Sequence, residues 1–399
     1  MESNLQAQLA LLRRRIEKVD GRFTGPAAAA QGLHEDGLAD VSCLGGLAVE
    51  TALGKHWEVE RCYDFDHTHG NVKVERLRDL GARRWVYLDT ETTGLAGGAG
   101  TMAFLIGAAS IGEHGLVLKQ WFVRDHGEEA SALGALAEYL ASFDTVVSYN
   151  GRSYDQPLLE TRYTLARQRT PFARMEHLDL LYGARRLWKL RFATCRLVEL
   201  ERQILGHERV GDVPGEMIPQ LYFEYLRTRQ VGKLKAVLEH NALDILSLAF
   251  LAGIIPAVFD DPRACHLQHG AELSGLARWL VGQDRLEEAA DLYRRAVDAP
   301  MSDELLFRAL FEWSHVEKKR ENAAGALGIW SDLARSKNPY RAEALEELAK
   351  YYEHTEKNLF MAMDCTLEAE GLGRTAELAH RRARLERKID AADLKQQRL

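Results

Sequence analysis

Short apolar runs separated by polar turns dominate the early part of the chain. Residues 85–88 (Trp-Val-Tyr-Leu), 102–111 and 116–123 are of strand length, so the pattern predicts three strands. Gly112-Glu113-His114-Gly115 reads as the hairpin turn between the last two. Helical spacing follows over 130–143, then a short strand over 145–148, then mostly helix to about residue 255. Strands first and helices after, with one crossover, predict a mixed five-stranded sheet flanked by helices. Before residue 81 the pattern is weaker. Helical spacing covers 5–19, Gly and Ala fill 21–54, and alternation over 57–74 predicts short strands feeding the sheet.

The pattern changes again after about residue 258. Ala289-x3-Tyr293-x2-Ala296 has the small–aromatic–small spacing of a tetratricopeptide second helix. Ala326-x3-Trp330 recurs 37 residues later, and Ala362-x3-Thr366-x2-Ala369 another 36 beyond. Each such unit buries its apolar face only by stacking on a neighbour, which predicts an all-α tetratricopeptide-like array. Its function is either a concave protein-docking surface or a brace for the catalytic part. The resulting division is an N-terminal extension (1–80), a catalytic domain (81–258) and a helical repeat domain (268–399).

At 399 residues the chain exceeds what one core supports, so more than one domain is expected. A hydrophobic content of 46% and a charged content of 28% are those of a soluble globular protein. No run approaches the ~18 apolar residues of a membrane span, and no cleavable leader is legible. A cytoplasmic protein without membrane partners is expected. Cys43, Cys62, Cys195, Cys265 and Cys365 form no Cys-x-x-Cys pair, which points to reduced thiols rather than a zinc or iron–sulfur site. The net charge is −7, yet over 161–200 nine Lys/Arg face three acids. That local excess is the footprint of a phosphate backbone. Within it, Trp188 beside Arg185 and Arg186 is either a base-stacking platform or a core residue.

The chemistry sits in three segments. Asp89-Thr90-Glu91 ends the 85–88 run, and carboxylates at i and i+2 of a strand point the same way. They repel unless a cation lies between them, and oxygen donors suit Mg²⁺ or Mn²⁺. Val146 to Asp155 reads as strand, Asn150-Gly151 turn, then an acid entering a helix. His240 and Asp244 are four apart in a helical pattern and share a face. The Gly98-x-Gly100-x-x-Ala103 run is rejected as a dinucleotide motif because a strand, not a helix, follows it. No Gly-x4-Gly-Lys-Ser/Thr phosphate loop is present.

The order Asp-x-Glu-Thr-Thr-Gly, Asn-Gly-x-x-Tyr-Asp, His-Asn-x-x-Asp resembles the DEDD superfamily of 3′–5′ exonucleases, with their ribonuclease H-like α/β fold. The segments 97–101, 185–188, 200–206 and 212–215 look like its YprB-type bacterial branch, as does a tetratricopeptide-like tail. In that superfamily histidine-type members usually leave four residues before the last Asp and tyrosine-type members three; here three separate His240 from Asp244. The resemblance implies metal-dependent 3′–5′ exonuclease activity, with DNA favoured and repair as the setting. RNA processing by the same fold and a non-catalytic scaffold are the alternatives.

On this reading Asp89, Glu91, Asp155 and Asp244 hold two divalent ions, Mg²⁺ or Mn²⁺, about 4 Å apart. His240 is the expected general base or water-orienting group, with Tyr149 or Tyr154 as the fallback. Thr92, Thr93 and Asn150 are expected to meet the 3′-terminal nucleotide, and Arg185 and Arg186 the phosphates. A helicase or other repair protein is the expected partner of the tail, since this chain has no ATP-binding loop of its own.

Overall fold

The computed structural model describes residues 41–94 and 100–396. The 5–19 helix and residues 97–99 of the glycine run lie outside them. Along the chain come β1 (Leu47–Thr51), β2 (Gly54–Asp64) and a two-residue hairpin, β3 (Thr68–His69) and β4 (Val72–Lys73). β5 (Trp85–Thr92), β6 (Ala103–Ile111), β7 (Gly115–Phe122), β8 (Thr145–Ser148) and β9 (Glu176–Asp179) follow. All but the hairpin form one seven-stranded sheet of order β1-β2-β7-β6-β5-β8-β9. It is mixed: β8 runs parallel to β5 and β9 parallel to β8, whereas every other pairing is antiparallel.

Seven strands replace the expected five for two reasons. β2 pairs with β7 from Trp57 to Asp64 and carries β1 on its other side, so the sequence before residue 81 supplies two strands of the sheet itself. β9, with the sequence Glu-His-Leu-Asp, has no apolar run to announce it; parallel pairing to β8 makes it a strand. β5 lies inside the sheet between β6 and β8, and its Val86, Tyr87 and Leu88 are fully buried, as expected of a strand covered on both faces.

The helices up to residue 260 are α1 (Glu129–Leu140), α2 (Asp155–Leu165), α3 (Leu180–Trp188), α4 (Leu197–Leu200), α5 (Ile218–Thr228) and α6 (Leu234–Asp260). α1 and α2 are the crossovers that permit β8 and β9 to run parallel. Tyr222 of α5 stacks on Phe104 with ring centroids 4.0 Å apart. α6 is apolar and long enough to cross a bilayer by composition alone, which the run-length reading overlooked. Yet 61% of its most apolar window is buried within the protein, and it carries His240 and Asp244. It is a core helix.

The chain divides into two compact units. One gathers the described residues up to Gly183 with Thr194–Pro256; the other joins Ala184–Ala193 to Ala257–Leu399. In its described residues the second is all helical: α7 (Gly270–Val281), α8 (Leu286–Val297), α9 (Asp303–Lys319), α10 (Ala323–Arg335), α11 (Arg341–Tyr351), α12 (Leu359–Ala369) and α13 (Thr375–Gln396). From α7 to α13 each helix packs on the next in sequence. The repeated small and aromatic positions fall on α8, α10 and α12, and Ala289, Tyr293, Ala326, Trp330, Ala362 and Thr366 are all buried there.

Candidate active site

Asp89 and Glu91 lie opposite Gly107 and Leu105 of β6, so both carboxylates leave the sheet on the face that Gly107 leaves bare. A Cβ at position 107 would stand 2.1 Å from Asn241 Oδ1 and 2.4 Å from Ile245 Cδ1. The glycine is what lets α6 descend onto the sheet. Asn241, fully buried, then donates from Nδ2 to Asp89 Oδ2 at 2.9 Å and accepts at Oδ1 from Gln120 Nε2 at 2.8 Å. Locking Asn241 delivers its helix neighbours. His240 Nε2 comes 4.0 Å from Glu91 Oε1 and 3.6 Å from Asp244 Oδ2.

Asp155 arrives from the other side of β5. The chain leaves β8 through Asn150 in a left-handed conformation (φ 68°), as an Asn-Gly turn favours, and enters α2 with Asp155 in its first turn. Thr90 Oγ1 donates to Asp155 Oδ1. The turn is braced by Asp179 at the end of β9, whose carboxylate accepts from the backbone N–H of Asn150 (2.8 Å), Leu181 (3.1 Å) and Arg152 (3.2 Å). The four acids therefore collect around the carboxyl end of β5 with His240 beside them.

Their electrostatics are those of a cation site. Burial, then the charges of Asp244 and Asp155, push the Asp89 carboxyl well above its ordinary range. Burial, Asp89, Asp244 and Asp155 do the same to Glu91. Asp155 rises to about 6, chiefly through burial, with the Thr90 hydrogen bond opposing. A divalent cation among them reverses the repulsion, and the donors are the hard oxygens such a cation prefers. Glu91, His240 and Asp244 present ligand atoms within 4.8 Å of one another. Asp244 has one oxygen on Arg209 and turns the other toward His240, so it retains a donor for an ion.

Sequence reasoning missed Thr90, Arg209, Asp179 and Asn241 as site residues, and took Asp212 only as part of a motif. Asp212 accepts from His240 Nδ1 at 2.8 Å. Burial lowers the His240 pKa, but the Asp212 hydrogen bond and the Asp244 charge outweigh it, and the net shift is upward. In the sequence Asn241 stands only as the second residue of the His-Asn-x-x-Asp segment; its bond to Asp89 follows from the docking of α6.

The expected substrate contacts are placed as follows. Thr92 Oγ1 donates to Gly94 O, and Thr93 Oγ1 accepts from Met102 N, so both hydroxyls shape the β5–β6 connection. Arg185 and Arg186 belong to the second compact unit, and the Arg186 guanidinium lies over the Trp279 ring at 5.5 Å. Trp188 is core: it is buried and donates its indole N–H to Glu272. Tyr149 donates its hydroxyl to Cys195 O, while Tyr154 is exposed. A cleft of about 620 Å³ lined by Arg152, Gln156, Glu160, Glu176 and His177 includes none of the four acids.

A second cluster, His69, Glu201 and His207, has its ligand atoms equally close. There, however, the two imidazoles stack face to face at 4.0 Å, so their in-plane lone pairs do not converge, and Glu201 is already paired with Arg209. Burial pulls the His69 pKa down to about 3, which keeps it neutral. We read this cluster as packing.

Residues 86–255, which contain every one of the four acids and His240, match the model of the RNase_H superfamily. Over 366 residues the chain is 34% identical to the Bacillus subtilis (strain 168) protein YprB, whose own description is "uncharacterized protein"; the alignment covers 84% of this chain and 86% of YprB.

Proposed function

The chain belongs to the RNase_H superfamily and to the same branch of it as YprB, and from that premise we propose that it is a 3′–5′ exonuclease that shortens DNA. The superfamily supports a metal-dependent nuclease. The convergence of Asp89, Glu91, Asp155 and Asp244 beside His240 is the observation that carries the finer reading.

Two divalent ions, Mg²⁺ or Mn²⁺, would be held by the four acids and would supply an activated water and charge neutralisation of the leaving oxygen. Asn241 and Thr90 orient Asp89 and Asp155 for that task. His240, whose Nε2 lies 4.0 Å from Glu91 and 3.6 Å from Asp244, would take the proton of the attacking water. In this reading Thr92, Thr93 and Asn150 flank the terminal nucleotide, and Arg185 and Arg186 bind the strand's phosphates. The helical unit is a tetratricopeptide-like array that recruits a helicase or other repair factor, in the cytoplasm.

The test is a 5′-labelled DNA oligonucleotide with a free or a blocked 3′ end. Stepwise shortening is expected from the free end only, and is abolished by EDTA and by Asp89→Ala. His240→Ala should lose on the order of 10²–10⁴ in rate. Cuts inside the strand, release from the 5′ end, or faster digestion of the matched RNA would each replace the reading with another nuclease activity.

A further inference from the structure

Arg209 is buried, with 4% of its side chain exposed, and touches three carboxylates at once. It holds Glu201 through Nε and Nη2, Asp212 through Nη1 at 3.0 Å, and Asp244 through Nη2. Glu201 is itself buried and fixed from α6 by Ser247 Oγ at 2.7 Å. Asp212 is fixed twice more, by Val213 N–H at 2.8 Å and by His240 Nδ1 at 2.8 and 3.0 Å from its two oxygens.

One guanidinium facing three acids leaves an excess of negative charge in a poorly solvated place, which is costly unless another group shares it. Glu201 and Asp244 already bring two negative charges to Arg209, so Asp212 is not needed to balance its charge, although it is the acceptor on Nη1. What Asp212 does add is a proton acceptor for His240 Nδ1. A neutral imidazole whose Nδ1 carries the proton and donates it to a carboxylate leaves Nε2 as the unprotonated nitrogen and fixes where the ring points it. Here that nitrogen is the one facing Glu91 and Asp244.

We propose that Asp212, clamped by Arg209, is a positioning residue that holds His240 as the Nδ1–H tautomer with Nε2 directed at the reacting water. This rests on the exonuclease reading above, in which His240 moves that water's proton.

The test uses the full-length protein and two readouts. In ¹⁵N-histidine-labelled protein in EDTA, a downfield imidazole Nδ1–H signal should be present, absent in His240→Ala, shifted in Asp212→Asn and lost in Asp212→Ala. In single-turnover digestion at saturating metal and DNA, Asp212→Ala should cost about 10–100-fold. Asp212→Asn, whose amide oxygen still accepts, should cost less. In a His240→Ala background Asp212→Ala should cost nothing further, because its effect runs through the imidazole. Two results overturn the proposal: single-mutant losses that multiply in the double variant, or a His240 Nδ1–H signal unchanged by loss of Asp212. Should Asp212→Ala not fold, the Asp212→Asn spectrum and its own double variant with His240→Ala decide. A wild-type protein that shortens no DNA or RNA refutes the exonuclease reading instead, while the spectra still decide the Asp212–His240 coupling.

Discussion

Asp89, Glu91 and Asp155 work against the fold that carries them. Each has its pKa raised by burial and by its neighbours, so each is a source of instability once ionised without a cation. The sign follows from linkage. A folded pKa above the unfolded one favours folding at low pH, and that advantage is lost as pH rises through the folded value. For Asp155 the window runs from about 4 to about 6. In EDTA, stability should therefore fall across that window, and urea titrations should show Asp155→Asn falling less steeply. Mn²⁺ should raise the melting temperature of the parent protein well above that of the variant. Equal pH slopes in the two proteins would contradict the placement of Asp155 in a crowded acid cluster.

At the scale of elements, the site depends on how closely α6 approaches β6. Gly107 has no room for a Cβ beside Asn241 and Ile245. Gly107→Val should push the helix outward at a cost of about 1–3 kcal/mol, and should also loosen Asn241 from Asp89. Chemical denaturation and digestion rate should fall together; a stable and fully active variant would mean the close approach is unimportant. The helical unit is held at its end by another buried group. Glu353, after α11, accepts from Arg381, Arg384 and Lys388 of α13. Burial opposes ionisation of Glu353, but these cations win and bring it down to about 2. The stabilisation is present above the ordinary value of 4.5 and lost as pH falls through about 2. Glu353→Gln should cost about 1–3 kcal/mol at pH 7, and the gap to the parent should close on acidification below pH 4.5.

Across the whole molecule, the chain does not divide at one point in the sequence. Ala184–Ala193 belongs with the helical unit, where Trp188 and Arg191 both reach Glu272. A chain ended at Pro256 would strand that segment and uncover Trp188. Its tryptophan emission should shift to the red relative to the same truncation carrying Trp188→Phe, and its solubility should drop. Identical spectra would show that the segment finds cover without Glu272. In the intact chain, replacing Arg185 and Arg186 by Ala should flatten the salt dependence of DNA binding; an unchanged slope would assign them to structure.

Periodicity and short-range chemistry alone determined much of this. An apolar run ending in Asp89-x-Glu91 already requires two carboxylates on one side of a strand, and the 4-residue spacing already puts His240 and Asp244 on one helix face. The same locality made β5, β6, β7, β8 and α1 legible, because each buries a face whose period is written in its own residues. What tertiary structure alone decided involves residues whose partners are distant in sequence. β9 is a strand only because β8 lies beside it, and β2 joins the sheet only through β7. Asn241 matters because Gly107, far earlier in the chain, makes room for it. Asp212 and Arg209 look like ordinary loop charges until α6 sets His240, Asp244 and Ser247 around them. A buried polar group acquires its role from whichever group satisfies it, and that partner is set by packing rather than by spacing.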